Sequence, residues 1–424
     1  MKIIAPKRLM ESVFPTVRNG GIFNASSLDL QFARTKTLDP RITFTRASSG
    51  TYVGADGLIK TATTNEARFD HNPTTGESLG LLVEEQTTNL LLRSEELSNA
   101  TWAKNFTVAT ADQAIAPNGT LTADKVAEDS TTNFHAISQY VTGFASGAVA
   151  SLSIYAKAAG RTKFRIKTDG PGGTGTVDFD LSAVTATSGT GVFSAGSIQT
   201  IGNEWYRCSV RCTTSGAGAI GLKVILAATT YGTSYPGDGT SGLYLWGAQL
   251  EAGAFPTSYI PTTSSTVTRS ADVASITGTN FSSWYRQNEG TVFTKYTNAK
   301  RSGRVVEIND NTGNNRHFIA TSSNGNNSQF VGSVLGTTFF NSTITDSNNP
   351  RNSAYAYKAN SYAGVSSGSV PVTSANATIP QVSQMWIGGP YDNGVSGLYF
   401  GGTISRLTYF PTRLSDATLQ EITR

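Results

Sequence analysis

Short runs of β-branched and aromatic residues, each closed by a turn rich in Gly, Ser, Thr or Asn, recur along nearly the whole 424-residue chain. Such runs, interrupted at regular intervals by turns, are typical of antiparallel sheets. Charged residues make up only 15% of the chain, against about 25% in ordinary domains, which argues against a coiled coil or helical bundle. The 10% of aromatic residues argues against a disordered chain. The sequence therefore predicts an all-β fold.

The length predicts two or three units, and the strand pattern divides the chain into three segments. Residues 1–92 hold short, weakly hydrophobic strands, including a hairpin signal at Asp56-Gly57. So few apolar residues cannot bury a large core alone. We expect this segment to pack on its neighbours or on another subunit and to dock the protein onto a larger particle.

The two later segments each predict a β-sandwich. Residues 93–262 contain about eight short strands with glycine-rich turns, the pattern of a sandwich or jelly roll. Residues 270–424 repeat that pattern and close on the one good helix signal, over residues 416–422, where Ser415 is the N-cap candidate. The fold class is thus a docking segment of short strands, two β-sandwich (jelly-roll) domains and one short C-terminal helix.

The charge distribution argues against a nucleic-acid partner, and the hydropathy pattern argues against membrane insertion. A net charge of +4 over 424 residues is close to neutral, whereas nucleic-acid binders cluster Lys and Arg on one patch. No apolar run approaches the ~18 residues of a membrane-spanning helix, and the pattern of a signal peptide is missing. The densest basic stretch is N-terminal and interleaved with apolar residues, so it is either an exposed tail or a docking peptide. Its candidate docking residues are Lys2, Lys7, Arg8 and Phe14.

Cys208 and Cys212 lie in a run that alternates like a strand. Four strand residues place them on one face, about 13 Å apart at ~3.3 Å per residue. A disulfide needs Cα atoms within about 7 Å. The sequence therefore predicts two free, buried thiols.

Catalytic constellations are not apparent in the sequence. His71, His135 and His317 are predicted to be structural, and no His-Cys metal spacing appears. A polysaccharide-cleaving site needs two carboxylates facing a sugar across about 5–9 Å. Asp178 and Asp180 share one strand face, for which a solvent-facing edge is the favoured interpretation. We therefore expect a protein that is not an enzyme, with an exopolysaccharide depolymerase as an alternative.

Glycan binding would use aromatic faces beside hydrogen-bonding side chains. One candidate group is Trp284, Tyr285, Arg286 and Asn288, which lie in a polar stretch; the other is Tyr355 and Tyr357, which alternate onto one strand face. The structural alternative for the group around Trp284 is a lid over the third segment. For Tyr355 and Tyr357 it is a place in the core or on a subunit interface.

Three parts of the chain resemble known proteins. Residues 38–48, 65–70 and 80–91 resemble a segment common in bacteriophage structural proteins. Residues 238–262 look like the last strand and exit of a carbohydrate-binding-module-like jelly roll, and the two often occur together in phage fibres and appendages. Residues 401–419 are similar to the closing strand and helix of laminin-G or concanavalin-A-like sandwiches.

The resemblance implies a virion protein, a tail fibre or appendage that displays its sandwiches for adhesion to the host surface or its glycans. It implies other virion proteins as partners and a homo-oligomer that is most often a trimer. We expect no cofactor. A head decoration, cement or head-fibre protein is the alternative. Assembly in the host cytoplasm and display on the particle would account for reduced cysteines. Sandwiches of these types sometimes hold structural calcium, for which the candidate ligands are Asp238, Asp310 and Asp392, each with turn capping as the alternative.

Overall fold

Antiparallel strands account for most of the structure, a computed structural model that describes residues 21–298, 303–322, 326–376, 378–389 and 398–424. Strands hold 54% of the described residues, which confirms the all-β prediction. The strands of the first segment are β1 (Leu28–Leu30), β2 (Thr43–Thr45), β3 (Gly50–Val53), β4 (Ile59–Ala62), β5 (Arg68–His71), β6 (Ser78–Val83) and β7 (Thr87–Asn89), with the short helix α1 (Phe32–Thr35) after β1.

The second segment forms a sandwich of two sheets, here called the middle sandwich. Its strands are β8 (Ala103–Asn105), β9 (Thr107–Ile115), β10 (Leu121–Glu128), β11 (Thr132–Asn133), β12 (Ala136–Phe144), β13 (Val149–Ala159), β14 (Lys163–Gly170), β15 (Gly173–Asp180), β16 (Thr185–Ala186), β17 (Thr190–Gly191), β18 (Phe193–Gly202), β19 (Trp205–Thr213), β20 (Gly218–Ala227), β21 (Tyr235–Pro236) and β22 (Gly242–Ala252). One sheet has the order β18-β19-β13-β22-β10-β9 and the other β16-β15-β14-β20-β12-β8. Alternate side chains of both sheets fill the core between them, where Phe164 and Phe179 stack with ring centroids 5.2 Å apart.

The third segment forms the C-terminal sandwich. Its elements are β23 (Val267–Arg269), β24 (Val273–Thr277), α2 (Gly278–Ser282), β25 (Glu289–Asn298), β26 (Gly303–Asn309), β27 (Arg316–Thr321), β28 (Asn327–Val334), β29 (Thr337–Thr345), β30 (Arg351–Lys358), β31 (Ser361–Ser366), β32 (Val372–Ser374), β33 (Gln384–Ile387), β34 (Gly402–Phe410) and α3 (Asp416–Thr423). One sheet has the order β32-β31-β30-β25-β34-β6-β5, and the other β2-β24-β33-β26-β27-β28-β29.

The first segment supplies strands to both sheets of the C-terminal sandwich. β1 and β6 pair with β34 in one sheet, and β2 pairs with β24 in the other. Leu28, Leu81 and Val83 are buried in the core between these sheets. β1, β2, β5 and β6 are therefore built into the C-terminal sandwich, which supplies a core to this weakly hydrophobic segment. β3 and β4 pair with each other instead, and Ile59 of β4 packs with buried residues of the middle sandwich. The division of the chain at residues 92 and 262 stays a prediction.

The middle sandwich is inserted between two strands that pair with each other. β7 precedes it and β23 follows it, and the two run antiparallel with Asn89 opposite Val267. Asn89 also holds the C-terminal end of the middle sandwich, because its Nδ2 donates to the carbonyl oxygens of Ala248 at 3.1 Å and Ile260 at 2.9 Å. The entry and exit of the middle sandwich thus lie side by side.

A buried network of three arginines and two carboxylates, here called the ionic joint, holds this region together. Asp272 accepts from Arg46 at 3.0 Å and from Arg68, and the side chains of these three residues have no exposed surface. Glu84 accepts from Arg68 at 2.8 Å and from Arg269 at 2.9 Å. Burial alone would raise the pKa of Glu84, but the two arginines outweigh it and hold that pKa at about 2.

The ionic joint also clamps the segment that leaves the middle sandwich. Ser258 donates its backbone N–H to Glu84 at 2.8 Å and its hydroxyl to the same carboxylate at 2.7 Å. Among the other guanidinium N–H groups, Arg46 donates to the carbonyl of Thr63 at 2.8 Å, whereas the Nε atoms of Arg68 and Arg269 have no hydrogen-bond partner. Charges buried in this way persist because each has a partner of opposite sign and further hydrogen bonds.

Both cysteines lie buried on the same face of β19, and neither forms a disulfide. The prediction of two free thiols is confirmed. Burial raises the pKa of Cys212 to about 11 and raises that of Cys208 as well. Because the thiolate is the reactive form, both side chains act as small apolar groups in the core.

Helix α3 confirms the C-terminal helix prediction and closes the C-terminal sandwich. The Ser415 hydroxyl accepts the backbone N–H of Thr418 at 3.2 Å, the hydrogen bond of an N-cap. Leu419 and Ile422 are buried against Phe293 and Phe410. Within the described residues, no helix has the length and apolar character to cross a membrane.

Candidate functional site

The aromatic residues predicted to form a glycan surface are in the core of the C-terminal sandwich. Trp284 is 3% exposed, and Tyr355 and Tyr357 are fully buried. Tyr285 stacks on Phe281 with ring centroids 4.5 Å apart. This placement corrects the sequence-based expectation of an exposed aromatic face, because alternate residues of β30 point between the sheets and their rings fill that space.

The polar partners predicted for these rings remain at the surface. Arg286 and Asn288 are exposed, while the aromatic side chains near them in sequence are turned inwards. The carbonyl oxygen of Arg286 accepts from the hydroxyl of Tyr357 at 2.6 Å, so its backbone anchors the core instead. The structure thus does not bring Arg286 and Asn288 together with an aromatic face.

His317 lies at the centre of this buried aromatic cluster. Its ring packs 4.7 Å from that of Tyr357 and 5.1 Å from that of Tyr355, measured between centroids. The hydroxyl of Tyr285 is 3.3 Å from its Nε2. Burial lowers the pKa of His317 to about 3, so the imidazole stays neutral and its role is structural.

The candidate calcium ligands serve their own loops. Asp238 accepts the backbone N–H groups of Thr240 at 2.7 Å and Ser241 at 2.6 Å. Asp310 accepts the N–H of Thr312 at 2.9 Å. These are the turn-capping contacts of an Asx turn, and no group of three or more His, Cys, Asp or Glu side chains in the described ranges is arranged to hold a metal ion.

Five residues singled out in the sequence lie outside the described residues. They are the candidate calcium ligand Asp392 and the candidate docking residues Lys2, Lys7, Arg8 and Phe14.

A tyrosine lies flat on the outer face of the middle sandwich. The side chain of Tyr140, on β12, is 37% exposed and crosses the neighbouring strand at Gly221. A Cβ atom at position 221 would be 2.7 Å from Cγ of the tyrosine ring, so only glycine lets the ring settle on the sheet. The Tyr140 hydroxyl donates to Asp169 on β14. The ring is therefore held in one orientation with surface open to solvent.

Two lysines complete this site, here called the tyrosine platform and defined as Tyr140, Lys167, Asp169, Gly221 and Lys223. The Nζ atoms of Lys167 and Lys223 lie 2.9 Å and 3.3 Å from the Asp169 carboxylate. Burial works to raise the pKa of Asp169, but the hydrogen bond from Tyr140 and the two lysines lower it to about 2. Two cations and one anion give the platform a net charge of +1.

Charged pairs continue the same face towards the edge of the sheet. Arg165 forms a bidentate pair with Asp178, with N–O distances of 2.6 and 2.9 Å. Asp180 accepts the N–H of Ser182 at 2.9 Å and lies 3.7 Å from Lys163. The two aspartates share one face, as predicted, and each is engaged by a cation on β14.

The tyrosine platform is not among the sites predicted from the sequence. A signal was present in the alternation of Lys163, Arg165 and Lys167, which places three cations on one face of a single strand. Tyr140 and Asp169 are 29 positions apart, so their contact depends on the strand order β14-β20-β12.

A scan against protein-family models and a search of curated proteins find no match for this chain. Solved structures offer partial matches. The carbohydrate-binding module CBM40 of the Ruminococcus gnavus IT-sialidase, bound to α2,3-sialyllactose, matches at 15% identity and a TM-score of 0.30, covering 34% of this chain and 88% of that one. Domains LG4-5 of the mouse laminin α1 chain match at 11% identity and a TM-score of 0.26, covering 69% and 93%. The NanB sialidase of Streptococcus pneumoniae matches at 13% identity and a TM-score of 0.29, covering 35% and 26%.

Proposed function

We propose that this protein is a structural and adhesive virion protein of a bacteriophage, a tail fibre or appendage, whose middle sandwich binds acidic glycans on the host surface. The observation that carries the adhesive part is the tyrosine platform. An aromatic ring held flat offers a face for the apolar side of a sugar ring. The two lysines beside it offer charged donors for a carboxylate.

The sign of the platform's charge favours an acidic sugar. Asp169 is committed to Tyr140 and both lysines, which leaves one uncompensated positive charge beside the ring. A single weak site of this kind suits a protein displayed in several copies, because repeated contacts add through effective concentration. The proposed trimer would supply those copies.

The ionic joint supports a display role. It fastens the segment leaving the middle sandwich to the C-terminal sandwich through buried ion pairs, so the two sandwiches can be presented as one rigid unit. The link to phage particles comes from the sequence. The resembling residues 38–48, 65–70 and 80–91 contribute Arg46, Arg68 and Glu84 to this joint.

Binding to an array of acidic and neutral bacterial glycans tests the adhesive role. We expect the full chain to bind acidic glycans, Tyr140→Ala to lose that binding, and Tyr140→Phe to retain part of it because the ring remains. Tyr231→Ala is the matched control, since Tyr231 lies on the same sandwich outside the platform. A wild-type protein that binds no glycan, or a Tyr140→Ala variant that binds like wild type, contradicts the adhesive role.

Antibody labelling of purified phage particles tests the location. A few copies at the tail support a fibre or appendage, whereas many copies over the head support the decoration alternative, and absence from particles contradicts the virion assignment. Docking is tested by deleting residues 1–20, which removes Lys2, Lys7, Arg8 and Phe14 but no described strand. Incorporation of this shortened protein at the wild-type level would contradict the docking role.

A further inference from the structure

A cleft of about 250 Å³ opens where the three segments of the chain meet. Its walls are mostly apolar and include rings from two segments. Residues from the first segment that line it include Tyr52 and Pro73, and Tyr155 faces them from the middle sandwich. This volume is below the ~300–1,000 Å³ of pockets for drug-sized ligands, so the cleft suits a ligand with a single ring.

One carboxyl in this cleft stands apart from the ionic joint. Asp70 accepts the backbone N–H of Val53 at 2.6 Å, and among the described residues it forms no salt bridge. Burial raises its pKa to about 6. The charged and titratable groups around it are Glu84, Arg68, Tyr155, Arg207 and the adjacent His71. Glu84 and Arg68 are committed to the ionic joint, so Asp70 retains capacity for a donor from outside the chain.

Two further polar atoms of lining residues, the Thr403 hydroxyl and the Arg207 Nε, lack hydrogen-bond partners. Thr403 is 4% exposed, and its hydroxyl has no hydrogen-bond partner. Arg207 donates through Nη2 to the carbonyl of Thr257 at 2.8 Å and stacks over Tyr155, whereas its Nε has no partner. Buried polar atoms without hydrogen-bond partners are uncommon in folded proteins, and a bound ligand would supply such partners here.

We propose that this cleft binds one neutral sugar ring, at a site separate from the tyrosine platform. The charges of Asp70 and Arg207 cancel, so the pair disfavours both an anion and a cation. A hydroxyl can donate to the Asp70 carboxylate and accept from a guanidinium or hydroxyl donor, which matches the polar groups present. The C–H faces of the ring match the walls formed by Tyr52, Tyr155 and Pro73. The inference depends neither on acidic-glycan binding at Tyr140 nor on the location in a virion.

Titration of the full chain with the methyl glycosides of glucose, galactose and mannose, followed by saturation-transfer NMR, tests this inference. We expect at least one glycoside to bind. Thr403→Val and Asp70→Asn should each weaken that binding roughly tenfold, the effect of removing one hydrogen bond to a bound ligand. Both substitutions preserve side-chain volume, and Asn can still accept the N–H of Val53.

Thr110→Val, on the exposed edge strand β9, is the matched control and should bind like wild type, as should Tyr140→Ala. Thermal unfolding of each variant establishes that it is folded. Failure of all three glycosides to bind, or equal binding by wild type, Thr403→Val and Asp70→Asn, overturns the inference. Loss of binding in Tyr140→Ala with no change in Thr403→Val would place the neutral sugar on the platform and also overturn it.

Discussion

Arg68 and Asp272 stand 204 positions apart in the chain, yet they form an ion pair with no exposed side-chain surface. Asp272 is also the counter-charge for Arg46. Asp272→Asn would leave two buried guanidinium groups without a full counter-charge. We expect the free energy of unfolding to fall by about 3–5 kcal/mol, measured by urea denaturation followed by tryptophan fluorescence.

The matched control for this substitution is Asp39→Asn. Asp39 pairs with Arg41 at 2.8 Å, but both side chains are partly exposed. Ion pairs of this kind contribute about 1 kcal/mol or less. Equal losses in the two variants would mean that burial does not set the strength of the ionic joint.

Asp70 should make stability depend on pH in a direction opposite to that of Glu84. The pKa of Asp70 in the folded protein is about 6, above the 3.8 that is usual for an aspartate, so the folded state binds the proton more tightly and stability falls as pH rises from about 4 to 6. For Glu84 the folded pKa of about 2 lies below the usual 4.5, so its contribution to stability is lost as pH falls from about 4.5 to 2.

Asp70→Asn isolates the first of these effects. We expect the variant to be more stable than wild type by about 1–3 kcal/mol at pH 8, and the difference to vanish at about pH 3 and below, where Asp70 is protonated in both folded and unfolded states. Urea denaturation at both pH values measures it. A difference that stays constant with pH would contradict the raised pKa.

Cys208 and Cys212 should be silent towards thiol reagents in the native protein. Both are buried, and burial raises the pKa of each thiol, so little thiolate is present at neutral pH. Reaction with a chromogenic disulfide reagent should report no thiol in the native state and two per chain after denaturation without reductant. Rapid reaction of the native protein would contradict the buried placement on β19.

Lys223→Gln should weaken binding of acidic glycans to the tyrosine platform, and the loss should be larger in low salt than in high salt. The reason is that dissolved ions screen exposed charges within about 10 Å at moderate ionic strength. Lys295→Gln is the control, because Lys295 is exposed on the C-terminal sandwich. Glycan titrations at two salt concentrations measure the effect, and equal losses in both variants would argue against a local role for Lys223.

Local features of this fold can be predicted from the sequence, and long-range pairing cannot. The cap at Ser415 identifies α3 because all of its signals lie within a few residues. The pairing of β1 with β34 brings Leu28 opposite Tyr409, and no short-range pattern encodes that contact. The sequence therefore predicts a separate docking segment over residues 1–92, although β1, β2, β5 and β6 of this segment complete the C-terminal sandwich.

The candidate site shows the same division. Trp284 lies in a polar stretch and reads as exposed, but the rings of Phe281 and Tyr409 enclose it at centroid distances of 5.0 and 4.9 Å. From the sequence, Tyr140 is predicted only as one residue of an ordinary strand. Its role depends on a glycine at position 221 and a carboxylate at position 169, which only the sheet brings together.

The pairing of β7 with β23 places the two ends of the middle sandwich on neighbouring strands, which in a sheet lie about 4.8 Å apart. Under the proposed function, a force on a glycan-bound middle sandwich would be transmitted to the rest of the chain through both connecting segments at once. This double connection prevents the middle sandwich from twisting about a single tether. The same arrangement makes the insertion exchangeable. Another sandwich whose ends emerge as a close antiparallel pair could replace it without altering the strand pairing of its host. Under the proposed function, adhesive specificity could then change while the C-terminal sandwich is kept.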